Sequence, residues 1–286
     1  MEERDFWIIF LVFVIFGVIG GVVIARSATK GSDSGKKPGP DEGGNKPISS
    51  CGMVGKPASQ LTSYIVNGRD SFAGKFPWVV SLGDCGASLI APEWVLTAAH
   101  CQTKVGAIIA AGVFNRAIQE QQRQVRTVTR VVYHPQFIQN NLFANDIALL
   151  KVDTPFVMSQ FVKPVCLPSS MIDLTAMTIT AMGWGSVTGA MGSSATIMQE
   201  ADLRIMPALM PINETIQFSA GAGPSTTTCF GDSGGPLVVM LNGKATQVGI
   251  VSFGSNPCSP PSYYSRVSTY VPWIESVVGN GVVTKN

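Results

Sequence analysis

The sequence is poor in charge and in histidine. Only 13% of its 286 residues are Asp, Glu, Lys or Arg, and the formal net charge is +2. No basic stripe interleaved with aromatics runs along it, which argues against a nucleic-acid partner. There are two histidines, His100 and His134, and no cluster with metal-ligand spacing, so neither a metal nor any other cofactor is expected. No internal repeat occurs. Apolar residues, by contrast, make up 45% of the chain, enough for one large core or two small ones. Six cysteines suit three disulfides in an oxidising compartment, although six free cytosolic thiols fit the count equally well.

The N-terminus chooses between these. After a short tail, 1–5, residues 6–25 read FWIIFLVFVIFGVIGGVVIA, uncharged over a length that spans a bilayer as a helix. The apolar character runs all round that helix, so a membrane-targeting segment is expected rather than a buried core helix. Its length exceeds the usual secretory h-region and favours an uncleaved signal anchor. Val23 and Ala25 are small enough for a cleavage site, which keeps a removable signal peptide open. Glu2, Glu3, Arg4 and Asp5 precede the segment and Arg26 and Lys30 follow it, so the positive-inside rule would leave the long C-terminal part in the cytoplasm. Disulfide-bonded cysteines would need an oxidising lumen, and long domains translocate largely regardless of flanking charge. The expected topology is therefore single-pass type II with the C-terminal part outside the cell, or secretion after signal cleavage. Residues 26–50 are mostly Gly, Ser, Pro and Lys and read as a flexible linker.

From about Ile65 the chain breaks into short apolar runs separated by Gly, Pro, Asn and Ser: WVVSL, ASLIAP, AIIAAGVF, RVVYHP, IALLKV, TITAMGWG, PLVVML and QVGIVSF. Runs of this length and spacing predict an all-β barrel or sandwich. Only STYVPWIESVV, near the end, has apolar residues at helical spacing, with Ser268 as the expected cap.

Three strings on this scaffold carry chemistry: LTAAHC, with His100 and Cys101; NDIALLKV, with Asp146; and CFGDSGGPLV, with Ser233. Each alone has a bland reading as a structural histidine, a turn aspartate or a glycine-rich turn. In the order His, Asp, Ser along one β-rich chain they resemble the chymotrypsin-like (trypsin-fold) serine proteases, from Ile65 to the terminal helix. Other serine hydrolases place the same residue types in other orders. The chemistry explains the types. A serine hydroxyl is a weak nucleophile, and an imidazole of ordinary pKa near 6.5 takes its proton and later passes it to the leaving amine.

The resemblance implies a double six-stranded β-barrel with a C-terminal helix over residues 65–286, acting as a serine endopeptidase. His100 would be the base, Asp146 its orienting partner and Ser233 the nucleophile. The N–H groups of Gly231 and Ser233 would form the oxyanion hole, and Ser252 would support Asp146 and open the substrate-binding strand. His134, before a proline at a strand end, is expected to have a structural or surface role. Residues 51–64 would be an activation propeptide. Cleavage after Tyr64 frees Ile65, whose ammonium pairs with Asp232; before cleavage the oxyanion hole would be unformed. Tyr64 stands where Lys or Arg is usual, so the activator would have chymotryptic taste, whether another protease or the protein itself. Thr227 at the base of the primary specificity pocket, with Gly254 and Ser262 on its walls, implies a neutral slot for Phe, Tyr, Leu or Met.

Spacing alone permits 15 pairings of six cysteines. The resemblance pairs Cys85 with Cys101, Cys229 with Cys258, and Cys51 with Cys166, the last tying propeptide to body. Expected partners are protein or peptide substrates, the activating protease, protein inhibitors, and the membrane through residues 6–25. Asn213-Glu214-Thr215 is a glycosylation sequon. A reading from another class is a catalytically silent binding or regulatory protein on the same fold. Such proteins usually lack the serine or the histidine, and both are present here.

Overall fold

The computed structural model describes residues 51–56, 68–138 and 143–286. Residues 6–25, the linker 26–50, Tyr64 and Ile65 lie outside the described residues. Among the described residues no helix is long and apolar enough to cross a membrane.

After a short strand β1 (Arg69–Asp70), six strands form the first barrel: β2 (Val79–Ser81), β3 (Gly86–Ala91), β4 (Trp94–Thr97), β5 (Ile108–Ala111), β6 (Gln124–Tyr133) and β7 (Ala148–Val152). They close in the antiparallel order β2-β3-β4-β7-β6-β5. Six more form the second: β8 (Ile179–Gly183), β9 (Gln199–Ile205), β10 (Gln217–Gly221), β11 (Pro236–Leu241), β12 (Lys244–Phe253) and β13 (Ser262–Arg266). Their order is β9-β10-β13-β12-β11-β8, closed by the β8–β9 pairing, with β1 added on β9. Closure leaves few unpaired edges.

Side chains alternate across a strand, and here both faces are used. Val95 and Leu150 point into the first barrel with Val80, Leu89, Ile109 and Val128. Their chain neighbours Leu96 and Leu149 point outward into a second cluster with Met182, Val238 and Ile250 of the other barrel. Burial on both faces is why these strands read as continuous apolar runs rather than alternating ones. The second barrel has its own filling, including Ile179, Leu203, Phe218, Leu237, Val248 and Tyr264.

The helix α1 (Val267–Val278) covers the shared cluster with Val267, Tyr270, Val271 and Ile274, one face at helical spacing. Ser268 is not its cap. Strand β13 runs straight into the helix with Arg266 at the N-cap, and Val267, fully buried, draws the first turn forward. Ser268 falls inside that turn, its hydroxyl on Met171 Sδ at 3.2 Å.

Three disulfides are present: Cys51–Cys166, Cys85–Cys101 and Cys229–Cys258. Around the first, residues 51–56 are docked on the body. Gly52 N–H donates to Pro164 O at 2.9 Å, Ala245 N–H to Gly52 O at 2.8 Å, and Gly55 N–H to Lys75 O at 3.0 Å. Gly52 has φ +66°, and a Cβ there would lie 2.4 Å from Ala245 O, so only glycine fits this close approach.

Candidate active site

Strand β4 ends at Thr97, and the 3₁₀ turn Ala99–Cys101 that follows carries His100. The Cys85–Cys101 disulfide pins this turn to the start of β3. Asp146 sits just before β7, fully buried. Its Oδ1 accepts His100 N–H at 2.8 Å, and its Oδ2 lies 2.6 Å from His100 Nδ1 and accepts Ser252 Oγ–H at 2.5 Å. Ser265 Oγ donates to the Asp146 carbonyl at 2.8 Å. A buried carboxylate without such donors would cost several kcal/mol. Here three donors fix both its position and the face it offers the imidazole.

Ser233 is held by its backbone. Gly86 N–H donates to Ser233 O at 2.7 Å and Gly234 N–H to Val251 O at 2.9 Å. Gly234 has φ +75°, and a Cβ there would lie 2.3 Å from Thr97 Oγ1 and 3.0 Å from Cys101 Sγ. The serine segment therefore lies directly against the turn that carries His100. Among the described residues no hydrogen bond joins Ser233 Oγ to His100. In unliganded sites such bonds are often long and tighten only with substrate.

The peptide before Gly231 is turned by Ser186, whose N–H donates to Phe230 O at 2.8 Å. A trans peptide places C=O and N–H on opposite sides, so the Gly231 N–H points away from that loop. Gly231 has φ +97°. Neither Gly231 N–H nor Ser233 N–H has an acceptor among the described residues. Two unpaired backbone donors side by side are uncommon in folded proteins.

Asp232, between them, is half-buried, its carboxylate enclosed by backbone, and meets no cation among the described residues. Gly185 N–H donates to its Oδ1 at 2.8 Å and Cys229 N–H to its Oδ2 at 3.0 Å. Burial pushes its pKa up to about 6, against those two hydrogen bonds. The cradle depends on glycine: a Cβ on Gly183 or Gly185 would lie 2.4 or 2.2 Å from a carboxylate oxygen. The resemblance implies an oxyanion hole unformed before cleavage; among the described residues both N–H groups lack a protein acceptor.

Thr227, Gly254 and Ser262 come together as expected. Thr227 Oγ1 donates to Ser262 Oγ at 2.7 Å, and Ser262 Oγ donates to Thr228 O at 3.3 Å. A Cβ on Gly254 would lie 2.8 Å from Ser262 Oγ. A cavity of about 280 Å³ reaches from Thr227, Cys229 and Cys258 to Gly185 and Asp232. The Cys229–Cys258 disulfide braces its wall.

One contact was not legible in the sequence. The Phe143 ring packs edge-on to His100 at 5.5 Å and stacks on Phe253 at 5.5 Å, and Phe253 stacks on Tyr263 at 4.5 Å. Phe143 has φ +50°, unusual for a bulky side chain and a kind of strain that clusters at functional sites. Its only sequence cue was closeness to Asp146. His134 is elsewhere: it packs between Tyr270 and Trp273 at 5.3 and 5.0 Å, and burial lowers its pKa. Asn213 is exposed, its Oδ1 accepting Thr215 N–H at 3.0 Å.

The family model described as Trypsin matches residues 65–274. Ovochymase of Halocynthia roretzi is 33% identical over 262 residues, covering 82% of this chain but only 16% of that protein's length.

Proposed function

The chain belongs to the trypsin family of serine proteases, and from that premise we propose that it is an active endopeptidase working through an acyl-enzyme. Ser233 Oγ attacks the substrate carbonyl while its proton passes to His100 Nε2. The Nδ1–H of His100 remains on Asp146, which also stabilises the imidazolium. The C–N bond breaks as His100 gives that proton to the leaving amine. Water then attacks the ester, again losing its proton to His100, and Ser233 is regenerated with release of the acid. The developing oxyanion is received by the N–H groups of Gly231 and Ser233, donors of a type whose removal costs about 2.7–4 kcal/mol each. The observation that carries this reading is the pair of unpaired N–H groups beside a histidine locked onto a buried, triply bonded aspartate.

The hydroxyl groups of Thr227 and Ser262, with no charged side chain at the Thr227 position, support a preference for aromatic or large apolar side chains. Made as a zymogen, the protein is cut after Tyr64, by itself or by another protease of chymotryptic taste. The Ile65 ammonium then pairs with Asp232, whose enclosed carboxylate meets no cation among the described residues. The Cys51–Cys166 bond keeps the propeptide attached after cleavage. Residues 6–25 hold the protein in a membrane, or direct its secretion, with the catalytic domain outside the cell. Asn213, exposed in its sequon, carries a glycan there.

The test treats the full chain with chymotrypsin or trypsin, quenches the activator, and assays chromogenic peptides ending in Phe, Tyr, Leu, Ala or Arg beside a Ser233→Ala control. Cleavage of Phe, Tyr or Leu substrates only after chymotrypsin is expected. Preference for Arg would overturn the pocket reading. Silence on every substrate despite cleavage at Tyr64 would favour the non-catalytic binding protein.

A further inference from the structure

A second cavity, of about 470 Å³, opens on the other side of the nucleophile segment. The specificity slot is lined by Thr227, Cys229 and Asp232, whereas this cavity takes Phe230 and Gly231, with Asp84, Arg116, Met191 and Ser194. A peptide whose acyl side chain fills the slot must pass its leaving half across Gly231. The second cavity is therefore where the residues after the scissile bond go.

Its cation is prepared. Arg116 Nη2 donates to Gly83 O, its guanidinium carbon stands 5.7 Å from the centroid of the Trp184 ring, and its backbone N–H donates to Thr196 O at 2.8 Å. Among the described residues no carboxylate forms an ion pair with it. The acid on its own loop, Glu120, is spent on the N–H groups of Phe114 and Asn115 at 2.7 and 3.2 Å. Half-buried, stacked and braced, Arg116 has little rotamer freedom left to lose on binding, and most of its five donors remain open. Asp84, the opposite charge on the rim, is exposed, so solvent and salt screen it more strongly.

We infer that Arg116 binds a carboxylate on the leaving half of the substrate, so that preferred substrates carry Asp or Glu within two residues after the bond cut. This rests on the endopeptidase reading above and names its substrate class. Asp84 tunes the site against a second acid but does not reverse its sign.

The test uses the full chain activated by chymotrypsin, with internally quenched peptides identical except for Glu, Gln or Lys at the second residue after the scissile bond. Glu is expected to exceed Gln in kcat/KM by about three- to tenfold, the range of a partly desolvated ion pair. The advantage shrinks toward onefold in Arg116→Gln, is partly kept in Arg116→Lys, and in the unaltered enzyme falls as salt is raised to about 0.5 M. Equal rates for Glu and Gln, an advantage that survives Arg116→Gln, or a preference for Lys would each overturn the inference. Failure to cut any peptide, the Gln reference included, is a failure of the endopeptidase reading instead. Fluorescence anisotropy of the same peptides on the activated Ser233→Ala chain then decides: tighter binding of the Glu peptide supports the Arg116 site, and equal binding overturns it.

Discussion

At Asp232 a carboxylate is kept in the interior by two N–H donors, with its pKa raised by burial from 3.8 to about 6. The sign of the pH effect follows. Below about pH 4 the group is protonated in folded and unfolded chains alike. Between about 4 and 6 the folded chain holds a proton that the unfolded chain has released, so stability falls as pH rises, by about 3 kcal/mol in all. Chemical denaturation of the uncleaved Ser233→Ala chain should show this loss, and Asp232→Asn should lack it. Cleavage after Tyr64 should remove it too, because an ammonium partner holds the carboxylate in its charged form. A slope that persists after cleavage would count against the Ile65–Asp232 pairing. Ser262 makes a second prediction. Removing its side chain in Ser262→Gly takes the hydroxyl off Thr227 and opens space beside Gly254. The ratio of kcat/KM for Phe over Leu substrates should then rise by about tenfold, the scale of a pocket change of one small group.

The pairs of elements that frame the site differ in how far they could be read from residues alone. His100, Asp146 and Ser233 were legible because proton transfer admits few residue types, and glycine must flank the nucleophile where backbone approaches backbone. Thr227 followed once Ser233 was placed, whereas Gly254 and Ser262 were matched only through the family resemblance. Phe143 was not legible, since its positive φ and its contact with His100 depend on how the loop before β7 closes. The helix start was missed by two residues because strand β13 passes into α1 without a break, which no capping residue announces. Nor did any periodicity mark the cradle on either side of Trp184, where strand β8 ends. There, Gly185→Ala would bring a methyl group to 2.2 Å from Asp232 Oδ2. Overpacking of this kind typically costs about 1–3 kcal/mol. The variant is expected to lose thermal stability by that amount and to lose most peptidase activity after cleavage, while Gly189→Ala, with open space around its Cβ, serves as the control.

For the molecule as a whole, the apolar runs foretold short strands, but whether they made barrels or a sandwich was set by closure: β5 returns to β2, and β8 to β9. The two barrels and the helix share one apolar cluster, so His100, Asp146 and Ser233, drawn from both barrels, keep their spacing only while that cluster is intact. The Cys51–Cys166 disulfide closes over 115 residues of sequence, with both cysteines at 0% exposure and residues 51–56 docked around it. Thiol exchange requires a thiolate to reach sulfur. Were the chain cut after Tyr64 as proposed, release of the catalytic body would work as a coincidence gate: the docked segment would first have to lift, and a reductant to arrive before it settled back. At high thiol concentration the expected rate of release is independent of the reductant, with the fluctuation of six residues as the clock.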